Sequence, residues 1–195
     1  MDDDSEDDKK DGKPSPNFID EKLFGSRYIV LTGPITMAVA KMVTERLLAL
    51  SGESDDPIHM IINSPGGHVE SGDTIHDMIR FVKPPVRVIG TGWVASAGTH
   101  IYLAAKKENR YTLPNTRFLV HQPSGGAGGQ ASDIAIAARE IVKTRERLAH
   151  AIAEATGQPV DRVMKDIERD YWMSAEEAVD YGIVGRIIGN VAEIG

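Results

Sequence analysis

The feature that most constrains the fold is the regular alternation of short apolar runs with amphipathic helical stretches. The runs "RYIVLTG", "PIHMIINSPGG", "VRVIGTG" and "TRFLVHQP" fit strands. The stretches "ITMAVAKMVTERLLALSG" and "SGDTIHDMIRFV" lie between them and repeat apolar residues every three or four positions, the period of an amphipathic helix. Strands that alternate with helices predict an α/β domain with a largely parallel sheet.

The longest helical pattern extends from Ser132 to Gly157. Its apolar stripe consists of Ile134, Ala138, Ile141, Leu148, Ile152 and Ala155. A helix of that length would extend for roughly 35 Å, so on a small domain we expect it to project. A projecting apolar stripe is stable in water when another surface covers it, which predicts a partner subunit.

The composition limits the protein to a few classes. A chain of 195 residues fits one domain with a sizeable core. Without cysteine it has no disulfide, thiolate nucleophile or cysteine metal site. The net charge of −7 argues against a broad nucleic-acid surface, and no apolar run approaches the ~20 residues of a membrane span. We therefore expect a cytoplasmic protein that binds neither nucleic acid nor membrane.

The chain opens with the acidic segment "MDDDSEDDKKDGKPSP". Its first 13 residues contain seven acids and three lysines, and Met1 is its one apolar residue. Such a segment is too acidic for a transit peptide and lacks the apolar core of a signal peptide. We predict a disordered tail over residues 1–16 and a single domain over residues 17–195.

Ser96 stands in "GTGWVASAGTH", where a predicted strand gives way to a short predicted helix. One interpretation is that its hydroxyl caps the helix. The other is that the junction presents a nucleophile, because the neighbours Ala95, Ala97 and Gly98 are small and leave room for another backbone. Free N–H groups at the helix start would also suit a developing oxyanion.

A serine nucleophile needs a base, and the chain has six histidines: His59, His68, His76, His100, His121 and His150. We expect His76 and His150 to face solvent on their helices. His100 is four residues after Ser96 on the same helical face, whereas His121 ends an apolar strand, where catalytic groups of parallel sheets gather. Spacing favours His121 but leaves both open.

The base in turn needs an orienting acid. Asp170 is the best candidate of "KDIERDYWMS", because Tyr171 and Trp172 follow it and could shield its carboxylate from water. The turn "NSPGG" ends another strand, and its glycines Gly66 and Gly67 would let backbone N–H groups approach a ligand closely.

Four segments together resemble the proteolytic subunit of the Clp protease, ClpP, over about Arg27 to Ile188. They are "INSPGGHVESGDTIHDMIRF", "GWVASAGTHIYLAA", "RYTLPNTRFLVHQPSGGAGGQASDIAIAAREI" and "IERDYWMSAEEAVDYGIVG". The resemblance implies a serine endopeptidase of the ClpP/crotonase-like fold, built of stacked β-β-α units. It also implies a projecting handle over about residues 122–156, which joins two heptameric rings into a tetradecamer around a chamber in the bacterial cytoplasm.

Residue by residue, the resemblance implies that Ser96 is the nucleophile, His121 the general base and Asp170 the acid that orients it. The N–H groups of Gly67 and Ala97 would form the oxyanion hole. Substrate would lie as an added strand along Gly66, Pro123, Ser124, Gly125 and Gly126, and Arg169 would contact the opposite ring. No metal or organic cofactor is required.

Three departures from the family pattern concern partners more than chemistry. Ala97 replaces the usual methionine, and Ile61 replaces a tyrosine on the surface where the family docks AAA+ unfoldases. The acidic tail also differs from the family's apolar N-terminal loops. We expect unfolded polypeptides as substrates and an AAA+ unfoldase of the Clp type as partner. The alternatives are a non-catalytic or regulatory ring subunit and crotonase-type acyl-CoA chemistry, which leaves Ser96, His121 and Asp170 unexplained.

Overall fold

The structure is a computed structural model that describes residues 16–126 and 128–194. Within them it has seven strands: β1 (Tyr28–Thr32), β2 (Ile58–Ser64), β3 (Val86–Ala95), β4 (Arg110–Thr112), β5 (Arg117–Val120), β6 (Tyr171–Met173) and β7 (Arg186–Ile187). The helices are α1 (Pro16–Gly25), α2 (Met37–Glu53), α3 (Val69–Phe81), α4 (Ala97–Tyr102), α5 (Ala131–Thr156), α6 (Val160–Asp166) and α7 (Ala175–Tyr181). The predicted α/β class is confirmed.

Parallel pairing dominates the sheet, as the alternation of strands and helices predicts. The strand order is β1-β2-β3-β4-β7, and each neighbouring pair is parallel. β5 leaves this path: it pairs parallel with β3 and antiparallel with β6. β3 is ten residues long; residues 88–90 pair with β4 and residues 93–95 pair with β5. The long third strand therefore joins the main sheet to the β5–β6 pair.

The core lies between the main sheet and the helices that cover one of its faces. Alternate residues of each strand point to opposite faces, so Val88 belongs to the main core and its neighbour Ile89 belongs to a smaller cluster on the other face. That smaller apolar cluster consists of Ile61, Ile89, Tyr111, Leu113, Ile188 and Ile194. Ile89, Tyr111 and Ile188 are buried, so this cluster is a second, smaller core.

The helix α5 is the longest of the described helices, with 26 residues, or about 39 Å at about 1.5 Å per residue. Its buried residues in the described structure are Ala149, Ile152 and Ala153, all near its C-terminal end. Ile134, Ile136 and Val142 are exposed. The N-terminal part of α5 therefore carries uncovered apolar side chains, as a projecting helix would.

Several short elements were not predicted. They are α1, β4, α6 and β6, all of ten residues or fewer. The tail predicted over residues 1–16 lies outside the described residues except for Pro16, which begins α1. Over residues 16–126 and 128–194, the helices are too short or too polar to cross a bilayer.

Candidate active site

Strand pairing brings the three predicted catalytic residues to one edge of the sheet. Ser96 directly follows β3, His121 directly follows β5, and Asp170 directly precedes β6. β5 lies between the other two strands, parallel to β3 and antiparallel to β6. The end of β3, the end of β5 and the start of β6 are therefore neighbours, although the residues come from three distant parts of the chain.

The three side chains form a continuous line of hydrogen bonds. His121 Nε2 lies 2.8 Å from Ser96 Oγ, and His121 Nδ1 lies 3.1 Å from Asp170 Oδ1. Both distances are within hydrogen-bond range. When Nδ1 carries the ring proton and donates it to the carboxylate, Nε2 is left as an acceptor for the serine hydroxyl. This geometry suits removal of a proton from Ser96.

The surroundings of Asp170 differ from the expectation. Its side chain is 62% exposed, whereas that of His121 is 25% exposed. The adjacent Trp172 does not cover the carboxylate: its ring stacks with Trp93 and lies under the Arg117 guanidinium. The Tyr171 ring packs against that of Tyr181 on α7. The prediction that neighbouring aromatic rings shield Asp170 is therefore wrong, because both rings pack against other elements.

The backbone of Ser96 is strained. Its φ of 56° and ψ of −120° lie where side chains with a Cβ are rarely found, at a cost of about 1–3 kcal/mol. Ser96 occupies the N-cap position of α4, yet its side chain makes no capping hydrogen bond; its Oγ faces His121 instead. The capping interpretation is wrong, and the junction presents the hydroxyl to the histidine.

Small residues around Ser96 allow close packing within the chain. A Cβ atom on Gly66 would lie 2.6 Å from the Ser96 Cβ, and one on Gly72 would lie 3.2 Å from the Ala97 Cβ. Ala95 and Ala97 are buried. The small residues therefore seat the start of α4 tightly against the turn before α3 and against α3 itself, and Ala97 also lines a small cavity beside Ser96. That they leave room for a substrate backbone stays a prediction.

Within the described residues, the N–H groups of Gly67 and Ala97 are among the backbone donors near Ser96 that make no backbone hydrogen bond. Ala97 is the first residue of α4, so its N–H has no acceptor within the helix. The bridge between Gly67 and Ile35 uses the Gly66 carbonyl and the His68 N–H, which leaves the Gly67 N–H out. Gly67 has a φ of 152°, and a Cβ there would overlap the Ile35 carbonyl. Only glycine fits this position.

Two cavities meet at the histidine. One of about 40 Å³ is lined by Val69, Ser96, Ala97, Thr99, His100, Val120, His121, Pro123, Leu148 and Ile152. The other, of about 660 Å³, is lined by His121, Gln122, Pro123, Ser124, Gly125, Ile141, Glu168, Arg169 and Asp170. Pro123, Ser124 and Gly125 thus border the site as predicted substrate-binding residues would; Gly126 is exposed beside the larger cavity.

The second candidate base, His100, is committed elsewhere. Its Nε2 lies 2.9 Å from Asp73 Oδ1, and its ring stacks on that of His76 with centroids 4.3 Å apart. His150 is exposed as expected. The prediction for His76 is wrong: its side chain is only 12% exposed. Burial is the main cause that lowers the pKa of His76, and the charge of the nearby His100 lowers it further.

Sequence reasoning missed the partners of His100. Asp73 accepts two hydrogen bonds from Arg147, with distances of 2.9 and 2.7 Å. Burial alone would raise the pKa of the Asp73 carboxyl, but the hydrogen bonds from His100 and Arg147 outweigh it and hold this pKa well below its usual value. One signal was available: Asp73 and His76 are three residues apart and therefore share a side of α3.

Comparisons with known proteins agree with these observations. A family model described as Clp protease matches residues 13–191. The ATP-dependent Clp protease proteolytic subunit 3 of Rhizobium meliloti (strain 1021) is 59% identical over 192 residues, with 98% of each chain covered. The ATP-dependent Clp protease proteolytic subunit 2 of Pseudomonas aeruginosa is 53% identical over 194 residues, covering 97% of this chain and 96% of the relative.

Solved structures give the same result for the fold. ClpP1 from Listeria monocytogenes is 51% identical, with a TM-score of 0.83, and a point mutant of that protein is 52% identical, with a TM-score of 0.86. Each match covers 91% of this chain and 99% of the other. These structures confirm the predicted fold, and the long α5 is consistent with the predicted handle.

Proposed function

The chain belongs to the Clp protease family, as a proteolytic subunit of the ClpP type, and on this premise we propose that it is a serine endopeptidase. It would hydrolyse peptide bonds of unfolded polypeptides inside an oligomeric chamber. The observation that carries the proposal is the line of two hydrogen bonds from Ser96 Oγ through His121 to Asp170, of 2.8 and 3.1 Å. A hydroxyl, an imidazole and a carboxylate in this order are the parts that acyl transfer requires.

In the first half of the reaction, Ser96 Oγ attacks the carbonyl carbon of the scissile peptide bond while its proton passes to His121 Nε2. Asp170 holds the ring in the tautomer that leaves Nε2 free and stabilises the imidazolium. The carbonyl oxygen becomes an oxyanion, which accepts hydrogen bonds from the N–H groups of Gly67 and Ala97. These donors belong to the backbone, so alanine instead of methionine at position 97 leaves the oxyanion hole intact.

The intermediate then collapses, and the C–N bond breaks. His121 returns its proton to the leaving nitrogen, and the first product departs as an amine. Water replaces it, gives a proton to His121 and attacks the acyl-enzyme. Collapse of the second intermediate returns the proton to Ser96 Oγ and releases the carboxylic acid. No metal or organic cofactor takes part in these steps.

Substrate would bind mainly through its backbone. We assign Pro123, Ser124, Gly125 and Gly126 to one side of an extended peptide, with Gly66 near the scissile bond. The first three line the larger cavity, and a strand added along this segment would need little side-chain specificity. This mode fits unfolded polypeptides of varied sequence.

The assembly we propose is a tetradecamer of two heptameric rings. The handle over about residues 122–156 would join the rings, because α5 exposes the large apolar side chains of Ile134, Ile136 and Val142, which a partner subunit would cover. Arg169, which is exposed at the larger cavity, would contact the opposite ring. Residues 17–195 would form one domain, with residues 1–16 as a tail, in the bacterial cytoplasm.

An AAA+ unfoldase of the Clp type is the proposed second partner. Relatives are named ATP-dependent, yet the mechanism above uses no ATP. We assign the unfoldase to the surface around Ile61, which is partly buried and packs on the smaller apolar cluster, on the sheet face away from the main core.

The test is Ser96→Ala. We expect hydrolysis of a small fluorogenic peptide to fall by about 10⁴- to 10⁶-fold, while native mass spectrometry still detects the assembled rings. Ser51→Ala is a matched control, because Ser51 lies on α2 and lines neither cavity at the site. A fluorophosphonate should label wild-type Ser96 and not the variant. Full peptidase activity of Ser96→Ala would overturn the proposal, and assembled wild-type rings without label would favour a non-catalytic subunit.

A further inference from the structure

A polar network lies beside the small cavity at Ser96, and its histidine, His100, lines that cavity. Asp73 Oδ1 lies 2.9 Å from His100 Nε2 and 2.9 Å from Arg147 Nη1, and Asp73 Oδ2 lies 2.7 Å from Arg147 Nη2. The Asp73 side chain is 23% exposed. One carboxylate therefore accepts all three bonds, and both of its oxygens are used.

The network ties three helices together at one carboxylate. Asp73 belongs to α3, His100 to α4 and Arg147 to α5. α4 is the helix that begins directly after Ser96, and the His100 N–H donates to the Ser96 carbonyl. α5 is the helix whose N-terminal part is exposed. Asp73 therefore connects the helix that carries the nucleophile to the helix that projects from the domain.

The network also borders the small cavity beside Ser96. His100 lines that cavity directly, and Leu148, which follows Arg147, lines it from α5 together with Ile152. The position of α5 relative to α4 therefore sets the distance across the cavity. Val69 lines the cavity from α3, and the remaining lining residues come from the segments that carry Ser96 and His121. Asp73 therefore positions the α5 side of the cavity relative to α3 and α4.

The anchoring of α5 at this point depends on few other contacts. Its buried residues begin at Ala149, two residues beyond Arg147. Arg145 adds one hydrogen bond to the Met164 carbonyl, of 3.3 Å. The bidentate pair between Arg147 and Asp73 therefore lies where the exposed part of α5 meets the packed part. A planar guanidinium that is bound through two nitrogens fixes both the distance and the angle between the two side chains.

We propose that Asp73 is a positioning residue that sets the width of this cavity and thereby selects the substrate side chain next to the scissile carbonyl, called P1. The inference rests on the proposed function, because it takes Ser96 as the nucleophile. With Arg147 held, the cavity measures about 40 Å³ and excludes large aromatic side chains. Without the clamp, Leu148 moves outward with the exposed part of α5, and larger P1 side chains enter.

The experiment compares two series of fluorogenic peptides that differ only at P1, with leucine or tryptophan. In Asp73→Asn, the negative charge is lost and an NH₂ group replaces one carboxylate oxygen. This group can only donate, so it cannot accept the hydrogen bond that Arg147 or His100 donates at that position. We expect the ratio of kcat/KM for tryptophan over leucine to rise at least fivefold, with most of the change in KM for the tryptophan peptide. Arg147→Met should give a similar rise, and Arg147→Lys a smaller one, because one ammonium cannot grip both oxygens.

Asp20→Asn is the control variant. It breaks another aspartate–arginine pair between two helices, Asp20 with Arg46 at 2.8 Å, and Asp20 lines neither cavity at the site. Its P1 ratio should stay within twofold of wild type. A general loss of stability would lower the rates for both peptides alike and leave the ratio unchanged.

The outcomes separate the two proposals. If Ser96→Ala is inactive and the P1 ratios of assembled Asp73→Asn and Arg147→Met both stay within twofold of wild type, Asp73 does not set specificity and the inference is overturned. If Asp73→Asn fails to assemble, Arg147→Lys replaces it in the test, because the Arg147 side chain is half exposed and the variant should still fold. A P1 ratio of Arg147→Lys within twofold of wild type would then overturn the inference. If Ser96→Ala keeps full activity, the proposed function itself fails.

Discussion

Two histidine–aspartate pairs lie near Ser96, and they differ in whether the histidine has a nitrogen on the serine. The front pair is His121 with Asp170 at 3.1 Å, and the rear pair is His100 with Asp73 at 2.9 Å. The front acid is mostly exposed, whereas the rear acid is mostly buried and also binds Arg147. The rear pair is the more tightly bound of the two.

The histidine that is held more tightly, His100, is the one that is not available to accept a proton from Ser96. The His100 ring is stacked on His76 and bonded to a carboxylate that two other donors also hold, so it is fixed in place and cannot reach Ser96 Oγ. The His121 ring has one nitrogen on Asp170 and the other on Ser96, so a proton can move along it. We infer a division of labour in which the front pair moves protons and the rear pair holds helices.

The two histidines should differ most in their effect on rate. We expect His121→Ala to lower kcat/KM for a leucine P1 peptide by about 10⁴-fold or more, because Ser96 loses its base. His100→Gln should lower it by less than about tenfold, since glutamine can still donate to Asp73. The measurement is fluorogenic peptide hydrolysis together with the rate of Ser96 labelling by a fluorophosphonate. The reverse order of effects would assign the proton transfer to the rear pair.

Substitutions of the two aspartates should affect different properties: that of Asp170 the rate, and that of Asp73 the stability. Asp170→Asn retains the shape of the side chain but not its charge, and we expect kcat to fall by about 10²- to 10⁴-fold with a smaller change in KM, because the imidazolium loses its stabilising partner. Its melting temperature should change little, as exposed ion pairs contribute about 0–1 kcal/mol.

Asp73→Asn should behave in the opposite way. It leaves His100 and Arg147 without an anion, so we expect a clear fall in melting temperature, followed by calorimetry of the assembled protein, and a smaller fall in kcat for the leucine peptide. If Asp170→Asn lowered the melting temperature more than Asp73→Asn, the division between the front and rear pairs would be wrong.

Sequence reasoning found the front pair more easily than the rear one, for a physical reason. The alternation of strands and helices predicts β1, β2, β3, β5, α2, α3 and α5 correctly, because each has its own apolar period. Ser96 and His121 follow predicted strands and were therefore located. Local reasoning could not choose between His100 and His121, since the choice depends on which strand lies beside β3.

The parts that could not be predicted depend on pairing between distant segments. β6 has three residues, too few for a periodic signal, yet its antiparallel pairing with β5 places Asp170 beside His121. Asp73, His100 and Arg147 come from three helices, and nothing in their spacing along the chain indicates that they meet. The close approach at Gly67 likewise depends on Ile35, which lies more than 30 residues earlier.

The smallest effect we predict is a dependence of stability on pH that comes from His76, whose ring stacks on His100 of the rear pair. The pKa of His76 is lowered in the folded chain, chiefly by burial. Below about pH 6.5, the pKa of an unfolded histidine, the unfolded chain therefore binds a proton at His76 more readily than the folded chain does. The contribution of His76 to the free energy of unfolding is therefore complete above about pH 6.5 and is lost as the pH falls toward the lowered pKa.

Urea unfolding at pH 7.5 and 5.5 should give a smaller loss of unfolding free energy for His76→Gln than for wild type. Part of the loss should remain, because burial also lowers the pKa of His59. His150→Gln, at an exposed position, should lose as much stability as wild type. If His76→Gln lost as much as wild type too, the buried His76 ring would not be the group that resists protonation.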